Sequence, residues 1–94
     1  MENIDTLFKR ALTLHQTGEL LEARTLYEHV LKEIPHQVYA LNLLGMTDIQ
    51  IGEYQRSLRF FEKAIALKPN FEEAYNNLGV ALKELKRYDE AIDC

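Results

Sequence analysis

Every glycine and proline in this 94-residue chain has a counterpart 34 positions away. Gly18 pairs with Gly52, Gly45 with Gly79, and Pro35 with Pro69. Glycine and proline punctuate local structure, so a shared spacing among them sets where the chain can turn. A fixed period in the range of about 20–50 residues marks repeated supersecondary units, each too small to bury its apolar face alone. Other residues keep the same register. Ala23, Ser57 and Ala91 align and are all small. Tyr27 aligns with Phe61, Tyr54 with Tyr88, and Leu7 with Leu41 and Tyr75.

Within a unit the apolar spacing is helical. Leu44 and Gly45 lie three and four positions after Leu41, Asp48 and Ile51 continue from Gly45 by threes, and Tyr54, Leu58, Phe61 and Ile65 advance by fours and threes. That is the 3.6-residue period, and no strand alternation is sustained anywhere. Gly18 and Gly52 suit the position after a helix end, where positive φ is common. Pro35 and Pro69 stop the second helix of their units. Asn3 is placed to cap the first helix, and Asn70 with Glu73 reads as a capping box for the fifth. These signals predict an all-α protein of six helices, over 4–17, 20–33, 37–51, 54–67, 71–85 and 88–94. The short turns between them predict antiparallel helical hairpins.

Composition narrows the function classes. Apolar residues make up 47% and charged residues 28%, which suits one folded domain spanning 1–94. No apolar run approaches the roughly 18 residues of a membrane span, and the N-terminus lacks the apolar core of a secretory signal. The net charge of −4 argues against nucleic acid or an anionic membrane as partner. Cys94 is the single cysteine, which excludes an internal disulfide framework and fits a reducing, cytoplasmic setting.

The chain resembles the tetratricopeptide repeat family over residues 4–94. The third unit, EEAYNNLGVALKELKRYDEAID, carries Tyr75, Leu78, Gly79, Leu82, Tyr88 and Ala91 at the family's signature places. The second carries Leu41, Leu44, Gly45, Gly52, Tyr54, Phe61, Ala64 and Pro69. The first is weaker, with Ala11 where the others have glycine and Arg10 where they have leucine. The resemblance implies an α-solenoid of antiparallel helix-turn-helix units over 4–37, 38–71 and 72–94, about 2.7 repeats with the last helix truncated. It implies that Gly45, Gly79 and Ala11 lie where paired helices approach closely.

The resemblance also implies a concave groove lined by first helices, binding a protein or peptide without catalysis or cofactor. It assigns to that groove Phe8 and Leu12, then Tyr39, Asn42, Leu43, Met46 and Ile49, then Glu73, Asn76, Asn77 and Val80. Its centre is apolar, and contiguous apolar surface marks interaction sites. Some family members clamp the carboxylate of a chaperone tail with Lys, Asn and Arg. The matching positions here are Phe8, Leu12, Leu43, Glu73 and Asn77, of which only Asn77 is of a suitable type.

Other groups read as structural. His15, His29 and His36 have no ligand spacing and are expected at the surface or at caps. Ser57 occupies a small-residue core slot without a nucleophile motif. Glu72–Glu73 and Asp89–Glu90 fall at expected helix starts. Arg56, Arg59 and Lys63 are expected on a solvated convex face, and Asp5–Lys9 and Glu28–Lys32 as helical ion pairs. Asp48 stands out, because its counterparts are Leu14 and Leu82. A lone buried carboxylate is costly, so it is expected to turn to solvent or a polar neighbour. Two other functional readings compete with the binding module. One is the repeat region of a larger enzyme, such as an O-linked N-acetylglucosamine transferase-like glycosyltransferase. The other is self-assembly as a homo-oligomer through an uncapped C-terminal face.

Overall fold

The computed structural model describes residues 3–93, and side chains for residues 3–89. Among the described residues there are five helices and no strand. They are α1 (Ile4–Gln16), α2 (Leu20–Glu33), α3 (Val38–Ile51), α4 (Tyr54–Leu67) and α5 (Glu72–Asp93). The starts of α1, α3 and α5 keep the 34-residue period, as do those of α2 and α4. Helices α1 and α2 pair, α3 and α4 pair, and α2 packs on α3 while α5 packs on α4. The stack is elongated, 52 × 29 × 18 Å.

The turns follow from backbone chemistry. After α1, Gly18 has φ +85, its N–H reaches His15 O, and Glu19 N–H reaches Leu14 O. After α3, Gly52 has φ +96, and Glu53 N–H reaches Asp48 O. Both are left-handed closures that satisfy helix-end carbonyls, and only glycine enters them without strain. Asn3 caps α1 by accepting the Thr6 N–H at 2.8 Å. Asn70 makes no such bond, and α5 is entered through Phe71 instead.

The expected fifth and sixth helices are one continuous helix. The 34-residue register places Lys86 where Gly18 and Gly52 make the earlier reversals. A β-carbon in the left-handed region costs about 1–2 kcal/mol, so the helical ladder runs through this position. Asp89, expected at a helix start, therefore lies inside α5. The side chains of Ala91 and Ile92, and Cys94 altogether, lie outside what the structure describes.

The core has two clusters. Ala11, Ala23, Tyr27 and Leu44 join the first unit to the second. Leu41, Ala64, Phe71 and Ala74 join the second to α5. Ser57 is buried, as its small-residue slot implies, and its Oγ donates to Tyr54 O at 2.6 Å. At Gly45 a β-carbon would lie 2.6 Å from the Phe61 ring, whereas at Gly79 it would meet nothing within 4 Å. The close approach expected at both positions thus exists only where a second helix is folded back. Gly45→Ala should lower stability by about 1–3 kcal/mol through overpacking. Gly79→Ala, relieved of that clash, should raise it by up to about 1 kcal/mol through helix propensity. Urea titrations of the two variants read the difference in sign.

Candidate functional site

The first helices of successive units are tied side by side by polar contacts. Asn77 Nδ2 on α5 donates to Asn42 Oδ1 on α3 at 3.0 Å. His15 on α1 bonds Gln50 on α3 through Nε2, and its Nδ1 lies 3.0 Å from the Tyr27 hydroxyl. The neutral ring with its proton on Nε2 satisfies both: Nε2 donates to Gln50 Oε1, and Nδ1 accepts from Tyr27. Tyr27 is fully buried, and burial pushes its phenol up to about 12. His15 is therefore a half-buried joint between two units rather than a surface or capping residue.

The expected groove residues divide by depth. Tyr39, Glu73, Asn76 and Val80 are exposed. Phe8, Leu12, Leu43, Met46, Ile49 and Asn77 are half-buried. Asn42 is only 2% exposed: it sits between α3 and α5 as acceptor for Asn77, with Met46 Sδ 4.0 Å from its own amide nitrogen. A polar side chain so buried holds helices together and offers a ligand almost no surface. Leu43 packs on the first core cluster. Phe8 meets the Tyr27 ring edge-on, with centroids 6.1 Å apart. Tyr39 lies edge-on to Phe71 and accepts a hydrogen bond from Lys68 Nζ at 3.2 Å, while that ammonium also sits 4.9 Å from the Phe71 ring centre.

Asp48 is fully buried and has two partners. Its Oδ1 accepts from Arg24 Nε at 2.7 Å and from Arg56 Nη2 at 2.9 Å, joining α2, α3 and α4. Arg24 also bonds Glu28 at 2.9 Å, so Glu28 pairs with Arg24 rather than with Lys32. Burial acts to lower the Arg24 pKa, but the bonds and charges of Asp48 and Glu28 outweigh it and hold it above the usual value. Arg56 thus bonds into this node while its side chain stays 40% exposed beside Arg59 and Lys63 on the solvated face. Asp48 Oδ2 and Arg56 Nε are buried without partners, so the node is incompletely satisfied. One signal in the sequence points to it. Arg24 stands where the second unit has Leu58, and Asp48 where the flanking units have leucine, so two apolar positions change to opposite charges together.

The remaining chemistry is sparse. Among the described residues no group of three or more metal-ligating side chains comes together, and no helix is long and apolar enough to cross a membrane.

Paired helices stacked at a 34-residue period define a class of α-solenoid interaction modules. Family models for the tetratricopeptide repeat match residues 4–37, 38–71 and 60–93, and the chain belongs to that family. It is 42% identical over 43 residues to an uncharacterised protein of Methanocaldococcus jannaschii, covering 46% of this chain and 50% of that protein. It is 30% identical over 78 residues to the rhomboid protease GluP of Bacillus subtilis, covering 83% of this chain and 15% of that protein. The chain thus spans half or less of these curated relatives. Its fold is shared with the second tetratricopeptide domain of Spaghetti (RPAP3) bound to the HSP90 peptide SRMEEVD, at TM-score 0.86 and 17% identity over 98% of this chain and 85% of that one.

The node can be tested without reference to any ligand. Arg24→Leu leaves a buried carboxylate with one partner and should cost about 3–5 kcal/mol. Adding Asp48→Leu restores the apolar pair of the repeat and should recover most of that loss. Denaturant titrations of the two singles and the double give the coupling energy.

Proposed function

We propose that this chain is a protein-interaction module that takes an extended or helical peptide against the wall formed by α1, α3 and α5. The observation that carries this reading is the apolar character of that wall. Tyr39 and Val80 are exposed, and Phe8, Leu12, Met46 and Ile49 are half-buried beside them. Met46 gives such a surface an adaptable side chain. Glu73, Asn76 and Asn77 supply polar groups on α5 that can pair with a peptide backbone. Asn42 and Leu43 belong to the support of this wall. The partner is an apolar segment rather than an acidic tail, because Phe8, Leu12, Leu43 and Glu73 offer no cation where a carboxylate clamp needs one.

In this reading residues 72–94 begin a third repeat. The segment binds without a cofactor and performs no catalysis itself. Its net charge of −4 disfavours nucleic acid and anionic membranes, and its single cysteine suits the cytoplasm. One observation supports a second setting for the same module. The match to a rhomboid protease over 83% of this chain but 15% of that protein fits a repeat segment serving within a longer enzyme.

Peptides selected on the wild-type chain from a random library test the wall directly. Met46→Glu with Val80→Glu should weaken their binding about ten-fold or more and leave the helical circular dichroism unchanged. Undiminished binding would move the site elsewhere.

A further inference from the structure

Away from the wall of first helices, α2 and α4 border a cleft floored by α3. All three helices belong to the two hairpins α1–α2 and α3–α4. Leu31 and Phe60 line the cleft half-buried, and Leu41 and Leu44 close its base at 2% and 1% exposure. Its volume of about 260 Å³ falls below the roughly 300–1,000 Å³ of sites that enclose a whole small molecule, so it fits one large side chain. Lys32 of α2 and Lys63 of α4 are exposed beside this recess. Among the described residues neither ammonium has a carboxylate partner. For Lys32 the cause lies in the Asp48 node. Arg24, held by Asp48, takes Glu28 at 2.9 Å, and Glu28 is the acid one turn before Lys32 that would otherwise pair with it. Helix α4 carries three cations, Arg56, Arg59 and Lys63, against the one carboxylate of Glu62, in a chain whose net charge is −4.

We propose that this cleft docks an acidic segment of a partner protein. One large apolar side chain of the segment enters beside Leu31 and Phe60, and flanking carboxylates pair with Lys32 and Lys63. Charge complementarity selects the partner. Two unpaired ammonium groups beside an apolar recess favour an apolar anchor set among acids, and a basic segment would meet repulsion there. The ion pairs are exposed and screened by salt, so they steer and orient the segment more than they hold it. Burial of the anchor in the recess supplies the larger part of the affinity. The Asp48 node then has two effects: it joins three helices, and by engaging Glu28 through Arg24 it leaves Lys32 open to a ligand. The cleft shares no residue with the wall proposed for peptides, and the inference does not depend on that reading.

Fluorescence anisotropy on the 94-residue chain tests this, with circular dichroism as the check on folding. The probe is a labelled peptide with one phenylalanine between pairs of glutamates. Saturable binding is expected, and it should weaken as salt is raised. Lys32→Glu with Lys63→Glu should raise the dissociation constant about ten-fold or more. Replacing the peptide's phenylalanine by alanine should do the same. Lys83→Glu with Lys86→Glu makes the same change in net charge on α5, away from the cleft, and should leave binding nearly unchanged. Absence of saturable binding would overturn the proposal. Binding that survives the reversals at Lys32 and Lys63, or that needs no phenylalanine, would equally overturn it. So would an equal loss from the α5 reversals, which would trace the binding to overall charge.

Discussion

The reversal of the chain at a left-handed residue is the constraint on which the rest of the structure depends. Gly18 and Gly52, with φ of +85 and +96, turn α1 onto α2 and α3 onto α4. Each reversal brings two amphipathic helices face to face and closes a core that neither could bury alone. The close packing of Phe61 over Gly45 exists because α4 has been returned along α3. Where Lys86 replaces the glycine, the helical ladder continues instead. Gly79 then faces open space, and an apolar stripe that is interior in the second unit becomes surface on α5. The same sequence pattern is thus buried in the second unit and exposed on α5.

The units are held to each other by two kinds of contact. Apolar packing through Tyr27 and Leu44, and through Leu41, Ala64 and Phe71, supplies the non-directional part. Polar joints supply direction. Asn42 with Asn77, and His15 with Gln50, tie neighbouring first helices. Asp48 with Arg24 and Arg56 ties α2 and α4 to α3. A buried ion pair contributes little net stability over well-packed apolar residues, so its effect here is better described as fixing the register of one unit on the next.

These contacts leave part of the outer surface of the first helices uncovered. Phe8, Leu12, Met46 and Ile49 are only half-buried, so each serves the fold with one side and presents the other. Asn42, which the family resemblance assigns to the groove, is 2% exposed and lies in the seam between α3 and α5. A residue one position along a helix turns by about 100°, enough to carry it from the open wall into the seam between helices.

The fold was legible in the sequence because the repeat is a local property. Turn residues, apolar period and caps act over a few neighbours, and their 34-residue recurrence in this chain needs no tertiary information to be seen. Four hairpin helices, their order and the burial of Ala11, Ala23, Ser57 and Gly45 followed from it. The departures were less legible because each needs a partner brought from elsewhere in the chain. Asp48 is acceptable in the interior only because Arg24, on a different helix, reaches its Oδ1. His15 becomes a joint only when Gln50 of the next unit lies beside it. The sequence by itself determined a tetratricopeptide solenoid, through periodicity and backbone chemistry. The tertiary structure decided which polar residues lock the units together, because burial and pairing depend on what each side chain meets across the stack.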